Sequence, residues 1–370
     1  MDPDAVDEVG RVPHGGSDDP DPIDFSANTN PVRPEGVADV YEAALADATS
    51  YADDHPEFRD AAADYVGCDP ADVVPTAGGV AALRLALGVT VSPGDRVALP
   101  EPGFGEYARE VRLQGGEPVG VRDETLLDVD PAAYAAVVVC TPNNPTGYLP
   151  SPAALRAFRA ECRAAGTPLL ADEAFLDFTD APSLAGDPGV MVARSLTKMF
   201  GLPGIRAGFA VATGHLGDRL RTARRTWSLS VPAAAVGTHC LRAEAFVERT
   251  RERVETERAR MRTALSDAYD VAPSDAPFLL VDVGDGPVGD DGPGGSDGPV
   301  GDDGPGGVDE RVGSGGRSAD DPVDAVLERA RADGIAVRDA RTFSGLDSHV
   351  RVAVRRPHEN DRLLDCLLDR

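Results

Sequence analysis

The chain has 370 residues, 42% of them hydrophobic, and carries 63 acidic against 36 basic side chains, a formal net charge of -27 at pH 7. That length exceeds one comfortable core and predicts two domains; that charge excludes a general nucleic-acid-binding role, which needs a basic face. The five cysteines (Cys68, Cys140, Cys162, Cys240 and Cys366) are scattered and never form a CxxC pair, which argues for reduced thiols in the cytoplasm and against a disulfide frame or a metal site.

In chain order, the opening MDPDAVDEVG is acidic and lacks the apolar core of a signal peptide. No apolar run is long enough to span a bilayer. From Thr76, TAGGVAALRLAL is a small-residue turn running into a helix. RVALPEP, AAVVVCTP, PLLADEAF, VMVARS and RAGFAVA are short apolar strands, with PAALRAFRAECRAAG among the helices between them. This alternation predicts an α/β fold, a mainly parallel sheet sandwiched by helices with ligands at the carboxyl ends of its strands.

The character changes after about Pro232. A long charged helix, EAFVERTRERVETERARMRTALSDA, has apolar residues at helical spacing and alternating arginine and glutamate on its outer face. It links to a strand (APFLLVDVG), a helix (DPVDAVLERARADG), strands IAVRDA and HVRVAVR and a final helix from Pro357. Together these predict a smaller α+β domain. Between Gly284 and Ser318, DGPVGDDGPGG occurs twice in tandem. Its Gly, Asp and Pro cannot bury enough apolar surface to offset the entropy of ordering, so a solvated, flexible loop is expected. A calcium-binding repeat would need an apolar strand-forming position that is missing here.

Lys198 is the sole lysine; every other basic side chain is an arginine. Acidic excess with so little lysine suits very high salt, where carboxylates keep the surface hydrated and ions screen their repulsion. Charge alone does not explain why one lysine is kept. An arginine stays protonated up to pH ~12, whereas a lysine amine can be tuned down to become a nucleophile. Lys198, in SLTKMFGLPGIRAGF, is therefore the candidate catalytic residue.

Four strings at strand ends accompany it. TPNNPTG offers an asparagine amide, Asn144, that can donate to a phenolic oxygen. Asp172 ends a wholly apolar strand, where a carboxylate is costly unless it meets a cation such as a protonated pyridine nitrogen. Ser195, Lys198 and Arg206 supply a hydroxyl, an amine and a fixed cation around one anionic group, suited to a phosphate. The Gly-Gly turn after Thr76 opens a helix whose free N–H groups and dipole also favour phosphate.

With these strings in this order, the chain resembles the fold-type I pyridoxal-phosphate enzymes of the class I/II aminotransferase superfamily over nearly its whole length, the Gly/Asp insert excepted. The resemblance implies an aspartate-aminotransferase-like fold. Residues 1–40 would be an arm joining the small domain and closing the site, 41–235 the large cofactor-binding domain and 236–370 the small domain, with 284–318 as its insert. The cofactor would be pyridoxal 5'-phosphate, held covalently by Lys198, which later moves the proton. Asp172 would pair with the ring nitrogen, Asn144 would hold the ring oxygen, and Phe104, in EPGFGEYARE, would stack on the ring. Ser195, Arg206 and the backbone of Gly79 and Val80 would hold the cofactor phosphate. Tyr51 matches a tyrosine that reaches the phosphate from a neighbouring subunit, so a homodimer is implied. Arg351, in HVRVAVRRPHEN, would grip the substrate carboxylate. In two places the chain departs from the pattern: Phe175 stands where many relatives have a tyrosine, and Gly79–Val80 where many have a hydroxyl residue.

Two subgroups act on small phosphorylated amines, histidinol-phosphate aminotransferase and the threonine-phosphate decarboxylase of cobamide synthesis. HGG at His14 to Gly16, IDFSANTNP from Ile23, DEAFLDF and the RDARTFSGL run from Arg338 resemble the decarboxylase. By that resemblance, His14, Ser26 and Asn28 would sit over the phosphate of the substrate, O-phospho-L-threonine, with Arg338 a second arginine near it. The alternative is amino transfer to 2-oxoglutarate with the same residues.

Overall fold

A computed structural model describes residues 1–16, 22–284 and 321–370. The Gly/Asp repeat, apart from Gly284, and part of the stretch between His14 and Ile23 lie outside the described residues.

The described strands, in chain order, are β1 (Ile23–Asp24), β2 (Val73–Thr76), β3 (Arg96–Glu101), β4 (Glu117–Arg122), β5 (Ala136–Cys140), β6 (Leu169–Asp172), β7 (Val190–Ser195), β8 (Gly208–Ala212), β9 (Asp270–Val271), β10 (Phe278–Asp282), β11 (Ile335–Ala336), β12 (Arg338–Asp339) and β13 (His349–Ala353). Seven of them form one sheet in the order β2-β8-β7-β6-β5-β3-β4. Only β8 runs against the rest.

Both faces of this sheet are buried, which is why its central strands are continuous apolar runs rather than alternating ones. On β5, Val137 and Val139 pack into one apolar cluster, with Leu155, Phe158 and Cys162 of the helix Pro152–Ala165. Ala136, Val138 and Cys140 point the other way, into a second cluster with Leu83 and Leu87 of the helix Gly79–Thr90. The Pro152–Ala165 helix starts and stops as its sequence dictates. Ser151 caps it through Ala154 N–H, proline takes the first turn, and Gly166 ends it in the left-handed region at φ 75.

Register sets the site. Cys140 lies opposite Asp172, and Asp172 opposite Ala193. The parallel strands β5 and β6 therefore end level, β7 runs two residues further to Ser195, and the three deliver Asn144, Asp172 and the Ser195–Lys198 turn to one edge.

A second sheet, antiparallel in the order β12-β13-β10-β9, is built from the C-terminal third of the chain. The long helix, Glu244–Leu265, and the helices Pro322–Ala332 and Pro357–Leu367 pack with it. IAVRDA, expected as one strand, is two. Its Ile335–Ala336 half pairs with β1 and its Arg338–Asp339 half with β13, so the chain changes partner at Val337. The first pairing ties the N-terminal segment to the C-terminal sheet.

Candidate active site

The carboxyl edge of the large sheet opens into a cavity of about 150 Å³ lined by Asp172, Lys198, Asn144, Phe104, Ser195, Arg206, Gly79 and Val80. Eight of the nine residues expected around the cofactor thus meet in one place. The ninth, Tyr51, is 84% exposed and packs tilted against the exposed Trp227 with ring centroids 4.6 Å apart; it lines neither this cavity nor the next.

Lys198 sits in the single-turn helix Leu196–Met199 that follows β7. Burial, the nearby Arg351 and Arg206 together bring its amine down to about 8, with Asp172 working against them. Its Nζ lies 5.6 Å from the centre of the Phe175 ring, and that ring packs edge-on against Phe278. Where a tyrosine would offer a hydroxyl, this chain presents an apolar wall.

Asp172 is 6% exposed. Its Oδ2 accepts from the Tyr107 hydroxyl at 2.6 Å and its Oδ1 from Ala174 N–H at 3.0 Å. Burial pushes the carboxyl up, while these two donors, Lys198 and Arg194 oppose that shift. A carboxylate so placed suits a cationic ring nitrogen.

At the other end of the cavity, Gly78 at φ +90 caps the helix Gly79–Thr90. A Cβ there would come 2.6 Å from Arg206 Nη2, so glycine is needed both for the backbone angle and for the approach of the guanidinium. The first turn of that helix has backbone N–H groups with no helical partner, Val80 beside them is 36% exposed, and Ser195 and Thr197 pair their hydroxyls at 2.8 Å nearby. This is a cradle for a phosphate.

A second cavity, about 200 Å³, shares Lys198, Asn144 and Phe104 with the first and brings together His14, Ser26, Asn28, Arg338 and Arg351. All five expected substrate residues therefore line one space. Arg338 and Arg351 are directly opposite on β12 and β13. Like charges paired across a sheet are destabilising unless an anion joins them. Arg351 is sandwiched between the Phe278 and Phe343 rings, 5.2 and 5.6 Å from its carbon. It donates to Asn144 Oδ1 and to Ser26 O, which leaves the Asn144 NH2 group to face elsewhere. Burial first, then Arg338, pushes its guanidinium down to about 9, still cationic at neutral pH. Asn28 Oδ1, Arg338 Nε and Arg351 Nε are buried with no hydrogen-bond partner among the described residues. His14 Nε2 lies 3.1 Å from Glu106 Oε1, and Ser26 Oγ donates to Asp24 and accepts from Gly16 N–H.

Sequence reasoning missed Tyr107, Thr197 and the two phenylalanines around Arg351. Tyr107 had a faint signal, since it lies one helical turn beyond Phe104. Phe278 and Phe343 had none; they meet only through the register of the small sheet. The donor set as a whole fits pyridoxal 5'-phosphate: an amine, a buried carboxylate across from it, an aromatic face and a phosphate cradle.

The aminotransferase class I and II family profile matches residues 20–367. A histidinol-phosphate aminotransferase of Archaeoglobus fulgidus is 27% identical over 93% of this chain and 98% of its own length. The threonine-phosphate decarboxylase of Salmonella typhimurium is 28% identical over 93% of this chain and 90% of its own. Histidinol-phosphate aminotransferase of Sinorhizobium meliloti, solved with pyridoxal-5'-phosphate, superposes with a TM-score of 0.74 at 22% identity, covering 93% of this chain and 89% of that one. From the profile match over nearly its full length, the chain belongs to the aminotransferase class I and II family, α/β proteins of aspartate-aminotransferase-like fold with pyridoxal 5'-phosphate as cofactor.

Proposed function

We propose that the protein decarboxylates O-phospho-L-threonine to 1-aminopropan-2-ol phosphate. The observation that carries this reading is the pair of arginines, Arg338 opposite the buried Arg351, in one cavity with His14, Ser26 and Asn28 beside Lys198. O-phospho-L-threonine brings a carboxylate and a phosphate together, one for each guanidinium, whereas histidinol phosphate has no carboxylate.

When bound, pyridoxal phosphate supplies an electron-withdrawing ring that stabilises charge left at the substrate Cα. In this reading Asp172 keeps the ring nitrogen positive, the Asn144 amide donates to the ring oxygen and Phe104 covers one face. Ser195, Arg206 and the Gly79–Val80 backbone hold the phosphate. Arg351 grips the substrate carboxylate, and His14, Ser26, Asn28 and Arg338 fix the remote phosphate. That remote anchor would select which bond at Cα breaks, the one to the carboxylate for CO₂ loss or the one to hydrogen for amino transfer. Lys198 then returns a proton to Cα in place of the carboxylate. Part of the same reading is the division at residues 40 and 235 and a homodimer in which Tyr51 reaches the neighbouring site; its support is the exposed Tyr51–Trp227 pair.

Amino transfer between histidinol phosphate and 2-oxoglutarate is the second reading, favoured by the near-equal identity to relatives of both names. Purified protein with pyridoxal phosphate in molar-range KCl separates the two. CO₂ released from O-phospho-L-threonine without any keto acid is the expected result. No CO₂, but glutamate formed from histidinol phosphate plus 2-oxoglutarate, would establish the aminotransferase instead.

A further inference from the structure

We propose that Tyr107 is a positioning residue for Asp172: its hydroxyl holds the carboxylate charged and aimed, so that Asp172 can bind the cofactor's ring nitrogen. The inference rests on the role given to Asp172 in the proposed function.

Tyr107 stands in the first turn of the helix Glu106–Leu113 and is 2% exposed. Its ring packs edge-on against Phe104, centroids 5.5 Å apart, within the apolar cluster on that face of the sheet. A phenylalanine would serve that packing equally well. The hydroxyl does something more, since burying it without a partner costs about 1–3 kcal/mol, and the partner it finds is Asp172 Oδ2 at 2.6 Å. Among the described residues, Tyr107 is the one side chain that hydrogen-bonds Asp172; the other donor is the Ala174 backbone.

The charged and titratable groups that act on Asp172 come from three other elements: Cys140 on β5, Lys198 beyond β7 and, from the other face of β7, Arg194. None replaces Tyr107. Arg194 is committed to Glu173 and Asp177, Lys198 changes charge as it works, and burial pushes the Cys140 thiol far up, leaving it neutral. Burial likewise holds the Tyr107 phenol well above its ordinary range, with Asp172 adding to the effect. It is therefore a permanent neutral donor across the working pH range, stabilising the Asp172 charge without adding a second cation beside the ring nitrogen.

Removing only the hydroxyl leaves the burial of Asp172 less opposed. The carboxyl then takes up a proton at a higher pH, and a neutral carboxyl no longer pairs with a charged ring nitrogen. The acid edge of cofactor retention should move upward in pH.

The test compares the parent protein, Tyr107→Phe, Asp172→Ala and the double variant, each loaded with pyridoxal phosphate. Cofactor dissociation is followed by absorbance across a pH series, with a thermal melt of each apo form. Tyr107→Phe should melt like the parent, bind the cofactor roughly ten- to a hundredfold more weakly, and release it at a higher pH. Asp172→Ala should bind more weakly still, and the double variant no worse than Asp172→Ala alone. Parent-like binding and pH edge in Tyr107→Phe, with Asp172→Ala impaired, would overturn the inference and leave the Asp172 role standing. Parent-like binding by Asp172→Ala would overturn both. Full additivity in the double variant would show that Tyr107 acts by some other route.

Discussion

Lys198 owes its chemistry to where it stands. The same amine on the surface would be protonated at neutral pH and inert as a nucleophile. Buried, with Arg351 and Arg206 near and Asp172 opposing, it is brought down to about 8. The sign follows directly: below about 8 the amine is charged and cannot attack, and above it the neutral form dominates. Covalent capture of pyridoxal phosphate by the apo-protein, fixed with borohydride, should therefore accelerate as pH rises and level off above about 8. Lys198→Ala should give no fixed adduct. A capture rate that goes on climbing about tenfold per pH unit through about pH 9, with no levelling, would mean that the amine is not depressed at all.

At the scale of elements, the neighbouring carboxyl ends of β6 and β7 do two jobs, because neighbours along a strand face opposite ways. Asp172 and Ser195 line the cavity, while Glu173 and Arg194 turn to the other side. There Arg194, 4% exposed, pairs with Glu173 at 3.1 Å and with Asp177, and covers the Tyr65 ring. Glu173 also accepts from Ser183 Oγ and Leu184 N–H. Arg194→Met would strand two buried carboxylates and should cost about 3–5 kcal/mol, seen as a lower melting temperature of apo and loaded protein alike. Replacing the two acids as well, with Glu173→Gln and Asp177→Asn, should recover part of that. A loss below about 1 kcal/mol would put this cluster in the class of surface pairs. The strands that carry these residues were legible because both their faces are buried and their runs are unbroken. β2 and β4 were not read as strands. One is four residues with Pro75 inside it, and the other is an edge strand holding Pro118 and Gly120. The split of IAVRDA was illegible for a different reason, since its halves are told apart only by their partners. Site residues followed the same division. Those in short local strings, Asn144, Asp172 and Ser195 to Arg206, were expected at strand ends and line the cavity, whereas the Tyr107 contact with Asp172 and the Phe278 and Phe343 contacts with Arg351 exist only in the folded chain.

For the whole molecule, charge raises a question of sign. The 63 acidic side chains exceed the 36 basic ones by 27, so even complete pairing would leave many carboxylates repelling one another. Exposed pairs such as Arg260–Asp361 and Arg329–Asp369 contribute at most about 1 kcal/mol each and weaken as salt rises. Repulsion among the unpaired carboxylates weakens too, and it acts over the whole surface at low salt, where the Debye length is about 10 Å at 0.1 M against about 3 Å at 1 M. The buried Arg194 cluster and the apolar core on both faces of the sheet are shielded from ions and barely respond. Relief of repulsion should therefore win over loss of surface pairs. The melting temperature should rise by roughly 5 °C or more between about 0.1 M and about 3 M KCl, equivalent to about 4 kcal/mol or more. Most of the gain should be complete near about 1 M if screening is its cause. A melting temperature that is level or falls across that range would mean that the acidic excess puts no load on the fold. In that case the near-absence of lysine would have to be explained by something other than salt.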